Sequence, residues 1–163
     1  MNVAAAPQLS PAHQRLQALV GTWRGEERVG ASQWTEAGEA ISEVFAEAEL
    51  GGLFVSQYYR QVRDAKVSFE AHNVFGVDQS DGTTKLWQFD SMGFVPTAPA
   101  SGSWDGDTLT LERSSPRGAA RTRYTFESPD RYRMTLQFRP AGRDAWQDMV
   151  EGTYRRVEGK RRA

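Results

Sequence analysis

From Trp23 onward the chain runs in short segments rich in Val, Thr, Phe, Tyr and Trp, separated by Gly, Asp, Ser and Pro. Within many of these segments apolar and polar residues alternate, the period of a strand that turns one face to a core. The pattern predicts strands over 22–29, 34–47, 52–62, 66–77, 83–90, 100–105, 107–113, 119–127, 131–139 and 145–155. Before Trp23 the spacing is different. His13, Leu16, Leu19 and Val20 recur at three and four residues behind Ser10-Pro11, which supplies a capping hydroxyl and a first-turn proline. One helix of about ten residues, ending at Gly21, is expected there.

The cleanest alternation lies in 131–139, with Tyr132, Met134, Leu136 and Phe138 on one side and Arg131, Arg133, Thr135, Gln137 and Arg139 on the other. Segment 119–127 repeats it, with Thr122, Tyr124 and Phe126 inward and Arg121, Arg123, Thr125 and Glu127 outward. A hairpin closed at Ser128-Pro129-Asp130 keeps like faces together when Thr125 lies opposite Arg133, Arg123 opposite Thr135 and Glu127 opposite Arg131. Asp105-Gly106 reads as a two-residue turn that sets Leu109 and Leu111 on the face of Trp104. Segments 34–47 and 66–77 carry polar residues on both faces, which a dry sandwich core tolerates poorly and a barrel holding water or ligand accepts. The expected fold is therefore all-β: an antiparallel up-and-down barrel of about ten strands, one short N-terminal helix closing an end. One domain spanning 1–163 is expected, with 1–9 and 157–163 as flexible ends.

The 163 residues contain no cysteine and two histidines, His13 and His72, which excludes disulfides, thiolate metal sites and a multi-histidine metal cage. No metal and no cofactor are expected. Residues 1–110 hold 7 basic and 14 acidic side chains and residues 111–163 hold 13 and 7, so a net charge of −1 conceals a basic last third. The near-zero total gives no global pull toward nucleic acid or anionic lipid. Met1–Pro7 lacks the basic start and apolar run of an export signal, and the protein is read as cytoplasmic, without a membrane segment.

Trp23 and His13 are read as structural, the first filling the barrel floor and the second tying the helix start. Trp87, Tyr124, Tyr132, Met134 and Phe138, with His72, are the expected cavity lining, a mixture of aromatic and flexible apolar side chains suited to a small apolar ligand. Glu70 and His72 share a strand face, and both facing inward would form a carboxylate–imidazole pair suited to acid–base work. Arg121, Arg123, Arg131, Arg133 and Arg139 form an outward basic surface suited to a protein partner or a homodimer. That surface has no interleaved aromatic to stack bases, so nucleic acid is not expected there. Residues 91–99, with Phe94 and Val95 in an irregular stretch, read as a lid or a rim-packed loop. Asp78, Asp81, Asp105 and Asp107 read as turn formers, their spacing lacking a calcium loop.

Several motifs in order resemble a bacterial lipocalin-like family, domain of unknown function 1579. They are His13-x-x-Leu16-x-x-Leu19-Val20-Gly21-Thr22-Trp23-x-Gly25, Gly51-Gly52-Leu53-Phe54, Phe75-Gly76-Val77-Asp78, Trp87-x-x-Asp90-Ser91-Met92-Gly93 and Gly102-x-Trp104-Asp105-Gly106-Asp107-x-Leu109. Glu151-Gly152-x-Tyr154-Arg155 fits as the family-like close. The resemblance implies a calycin barrel with a helix plugging one end and the Trp of Gly-x-Trp packed across its base, and it carries no established activity. The more distant nitrobindins share the Gly-x-Trp-x-Gly opening and bind haem through a histidine near the C-terminus. No histidine follows His72 here, so haem is not expected. Three functional readings follow: a container for a small apolar ligand, an enzyme using His72 and Glu70, and an interaction or dimerisation module using the arginine surface.

Overall fold

The structure, a computed structural model, describes residues 6–158. A helix α1 (Pro11–Leu16) and a 3₁₀ turn (Gln17–Leu19) precede β1 (Gly21–Val29), β2 (Gly38–Glu49), β3 (Phe54–Arg63), β4 (Lys66–Val77) and β5 (Thr84–Asp90). Then come β6 (Ala100–Asp105), β7 (Thr108–Ser115), β8 (Gly118–Ser128), β9 (Arg131–Pro140) and β10 (Gln147–Val157). Each strand pairs antiparallel with its sequence neighbours, and β10 returns to β1, closing a barrel. Closure removes the open strand edges that an isolated sheet would expose. No helix among the described residues is long and apolar enough to cross a membrane.

The helix is shorter than its spacing suggested, because the chain tightens into a 3₁₀ turn before Gly21. Its start is a capping box: the Ser10 hydroxyl accepts from the His13 backbone N–H, and His13 Nδ1 accepts from the Ser10 N–H at 3.0 Å. Leu16 and Leu19 enter the core at the closed end beside Trp23, whose Nε1 donates to the Leu19 carbonyl at 3.0 Å. Trp23 is 1% exposed and meets Tyr132 edge-on at 4.7 Å, so it is the barrel floor.

The β8–β9 register matches the expected pairs Thr125↔Arg133 and Arg123↔Thr135. It then slips by one at a bulge between Phe126 and Ser128, which takes Glu127 out of the ladder instead of setting it opposite Arg131. Glu127 reaches both Arg131 (2.9 Å) and Arg133 (3.0 Å) from that bulge. The β6–β7 turn is centred on Gly106-Asp107, one residue later than expected, with Gly106 at φ +58°, the left-handed region where glycine is favoured. Asp78 accepts from the hydroxyl and backbone N–H of Ser80 and Asp81 from the backbone N–H and hydroxyl of Thr83, and these turn hydrogen bonds hold both carboxyls below their usual range.

Strand β2 starts at Gly38 rather than 34, leaving Trp34 in the β1–β2 loop. Of the ends read as flexible, 1–5 and 159–163 lie outside the described residues. Val157 is the last residue of β10, paired with Thr22. The weakest seam joins β5 to β6 through only Thr84↔Gly102, Lys85↔Ser101 and Leu86↔Ala100. Beyond Leu86, β5 stays with β4 while the chain leaves as the 91–99 loop, and the wall opens on that side.

Candidate functional site: the barrel interior

The end of the barrel opposite α1 opens into a cavity of about 400 Å³. Its two sides differ because the strands that supply them differ. Strands β8 and β9 contribute Tyr124, Tyr132, Met134, Leu136 and Phe138, the clean inward alternation of the arginine hairpin. Strands β3, β4 and β5 contribute Gln57, Gln61, Asn73, Gln88 and Asp90. An apolar wall thus faces a polar one.

At the inner edge of the cavity sits a buried carboxylate. Strand β1 alternates outward from the Trp23 floor, so Gly25, Glu27 and Val29 follow it inside. Glu27 is 5% exposed. Tyr59 donates to its two oxygens at 2.8 and 2.7 Å, Gln61 Nε2 donates to Oε1 at 3.1 Å, and Tyr154 donates to Oε2. In every one of these contacts Glu27 accepts. Burial pushes the phenols of Tyr59 and Tyr154 well above their usual value, with the Glu27 charge adding to it. Burial also raises Tyr132 and Tyr124. The site is therefore ringed by phenols that keep their protons at neutral pH.

Tyr154 fits because two glycines make room for it. A methyl group on Gly25 would overlap the Tyr154 ring, and one on Gly152 would lie 2.7 Å from its hydroxyl. The ring then stacks on Tyr132 at 4.8 Å and 11°. On the polar wall Asn73 Nδ2 donates to Gln57 Oε1 at 2.8 Å, Ser68 donates to Gln61 Oε1 at 2.9 Å, and Gln88 donates to Asp90 at 3.1 Å. Asn73 Oδ1 is buried with no hydrogen-bond partner among the described residues, although the side chain lines the cavity. A buried acceptor left without a donor is costly, about 1–3 kcal/mol, and a bound molecule with an O–H or N–H relieves that cost.

The mouth is rimmed by Trp34, Met92, Phe94, Val95, Phe138 and Met149. Trp34 meets Phe138 edge-on at 5.3 Å, and the Arg117 guanidinium stacks on Phe94 at 3.4 Å, tying the 91–99 loop to the β7–β8 turn. Phe94 and Val95 nonetheless stay 54% and 81% exposed.

Of the residues expected to line the cavity, Tyr124, Tyr132, Met134 and Phe138 are brought together there. Trp87 and His72 are not. On β4 the inward set is Ala71, Asn73 and Phe75, so His72 and Glu70 stand on the outer wall, exposed to water, and form no acid–base pair in the cavity. Trp87, paired with the outward Val74, is likewise outside and 39% exposed. The five arginines of β8 and β9 are on the outer wall, where Gln137 and Glu112 hold Arg121 and Glu127 holds Arg131 and Arg133. An aromatic does lie on that face: Trp146, from the β9–β10 loop, sits under Arg121 at 4.1 Å and Arg139 at 5.1 Å. Glu27, Tyr59, Gln57, Asn73 and Tyr154 were absent from the expected site.

The model of a protein family described as "Protein of unknown function (DUF1579)" matches residues 8–156, nearly the whole barrel. The chain belongs to the DUF1579 family. No curated protein sequence matches it. Among solved structures the DUF1579 barrel resembles Rv2717c from M. tuberculosis, at TM-score 0.70 and 22% identity, over 93% of this chain and 100% of that one. It also resembles the S-type phycobiliprotein lyase CPES from Guillardia theta, at TM-score 0.65 and 15% identity, over 94% of this chain and 100% of that one. At these identities the likeness is one of fold, a closed antiparallel β-barrel.

Proposed function

We propose that this DUF1579 protein binds a small, mostly apolar, uncharged molecule in the barrel interior, with one hydrogen-bond donor directed at Asn73. The observation that carries this reading is the cavity of about 400 Å³, apolar on the β8–β9 side, with the unpartnered Asn73 Oδ1 on the opposite wall. That volume is in the range of small-molecule sites. The protonated phenols donate toward Glu27, which leaves the ligand to satisfy the amide oxygen. Native mass spectrometry of protein purified under gentle conditions tests the proposal. A bound small molecule in the wild type, lost in the cavity-filling variant Met134→Trp, is expected. Both proteins at their own bare chain masses, with no adduct under any condition and no stabilisation by apolar compounds, would overturn it.

A further inference from the structure

Three side-chain amides stand side by side on the polar wall. Gln57 on β3, Asn73 on β4 and Gln88 on β5 are direct strand partners, and all three line the cavity. Two residues nearer α1 on the same strands, Val55, Phe75 and Leu86 are buried in the hydrophobic core. The amides are therefore the first polar layer above a closed apolar floor. Such a layer costs free energy unless its donors and acceptors are used, and here they are used only in part. Asn73 Nδ2 donates to Gln57 Oε1 at 2.8 Å, and Gln88 Nε2 turns away to Asp90 at 3.1 Å. Among the described residues this leaves Asn73 Oδ1 as an acceptor without a donor and the Gln57 N–H₂ as a donor without an acceptor. Turning both amides over keeps their mutual bond and only exchanges the two roles, so the pair always offers one donor and one acceptor.

We propose, resting on the reading of the barrel as a container, that this pair is the head-group site of the cavity and selects a neutral amide, open-chain or cyclic. The amide N–H meets Asn73 and its carbonyl meets Gln57, so one planar group with donor and acceptor on neighbouring atoms fills both free positions. Other polar groups fill half of the pair. A ketone or ester brings no donor for Asn73, and an ammonium brings no acceptor for Gln57. A carboxylate brings no donor and adds charge to a wall that already holds Asp90, while Arg113 and Arg117 stand at the β7–β8 end of the lining. A hydroxyl holds donor and acceptor on a single atom, whereas the free positions belong to two residues on two strands. With the amide on the row above the floor, the apolar remainder lies against Met134, Leu136 and Phe138 and points toward the exposed Phe94 and Val95 at the mouth.

Equilibrium dialysis of the wild type against naphthalene carrying, in turn, a carboxamide, a methyl ketone, a hydroxyl or a carboxylate tests this. The ketone has the shape of the carboxamide and lacks its donor. The carboxamide should bind at least about tenfold more tightly than each of the others. In Asn73→Leu the gap between carboxamide and ketone should shrink to about threefold or less, because the acceptor is gone. In Gln57→Leu the two should weaken together by about tenfold, because both carbonyls lose their donor. The variants are read once their melting curves show them folded, and the wild-type comparison stands without them. Equal affinities of carboxamide and ketone for the wild type overturn the inference and leave the container, its amides then served by water. A carboxylate as tight as the carboxamide seats the polar group at Arg113 and overturns it too, as does a hydroxyl of equal affinity or an unchanged gap in folded Asn73→Leu. If none of the compounds binds, the inference fails, and the container fails with it only when a neutral apolar fluorophore also does not bind.

Discussion

Tyr154 on β10 donates its hydroxyl hydrogen bond to Glu27 on β1, across the seam where the last strand closes on the first. The bond joins residues 127 apart in sequence, and it forms only when the barrel is complete. Tyr59 and Gln61 reach the same carboxylate from β3, so one buried group ties together three strands. The glycine of the Gly-x-Trp-x-Gly opening and the glycine of Glu-Gly-x-Tyr have a shared purpose here: Gly25 and Gly152 clear the space that the Tyr154 ring occupies.

Replacing the acceptor tests the tie. Glu27→Gln puts an amide N–H₂ where a hydroxyl donates, leaving at least one buried donor without an acceptor. A loss of about 1–3 kcal/mol is expected. For a chain of this length that corresponds to a melting-temperature fall of about 4–8 °C at the middle of the range, read by calorimetry. An unchanged or raised melting temperature would count against the geometry described.

Gly25→Ala drives a methyl group into the Tyr154 ring and should cost about 1–3 kcal/mol by overpacking. The double variant Gly25→Ala/Tyr154→Ala takes the ring out of the methyl group's way and leaves only its contact with the Ser42 hydroxyl, so its stability should lie above the sum of the two single effects. Simple additivity in a chemical-denaturation cycle would show that the two positions do not touch.

The buried phenols set an alkaline limit. Tyr59, Tyr124, Tyr132 and Tyr154 are all raised above the ordinary value of 10.0, first by burial. In the unfolded chain they ionise near that ordinary value, so above it the unfolded state has lost protons that the folded state keeps. Stability is therefore undiminished by these groups below pH 10 and falls as pH rises beyond it, by up to about 1.4 kcal/mol per pH unit for each tyrosine. Phenolate absorbance from these four should appear together with loss of the native circular dichroism. Four phenols titrating reversibly near pH 10 in a folded protein would refute this.

How much of this was readable beforehand follows from parity. On β9 the inward residues are all apolar and the outward ones polar up to Arg139, and β8 departs from this inside only at Thr122, so Tyr124, Tyr132, Met134 and Phe138 were identifiable from alternation alone. On β4 both faces mix polar and apolar residues, and the choice between His72 and Asn73 depends on Phe75 being 0% exposed, a fact of tertiary packing. The inward side of β1 was within reach: once Trp23 is the floor, a period of two places Glu27 inside. What hid it is that a lone glutamate between charged neighbours looks like a solvated face, and its three donors arrive from β3 and β10. The bulge at Glu127 left no mark in the sequence, since the residues on either side continue the alternation.

The loop at the mouth should control rates more than affinity. Arg117→Ala removes the stacking contact on Phe94, worth about 0.5–1 kcal/mol at an exposed site, while leaving the interior lining intact. Stopped-flow mixing with a neutral apolar fluorophore should show association and dissociation both accelerated, with a smaller change in Kd. Unchanged rates would mean that the 91–99 loop does not gate entry.

The central claim is that the space between Met134 and Asn73 is a binding site. Its most direct measurement is equilibrium titration of a neutral apolar fluorophore into the wild type, Met134→Trp and Asn73→Leu, each first confirmed as folded by its melting curve. Saturable one-to-one binding is predicted for the wild type, with loss in Met134→Trp and weakening of about tenfold in Asn73→Leu for a probe that carries a hydrogen-bond donor. No saturable binding by the wild type, or equal binding by all three, would contradict it.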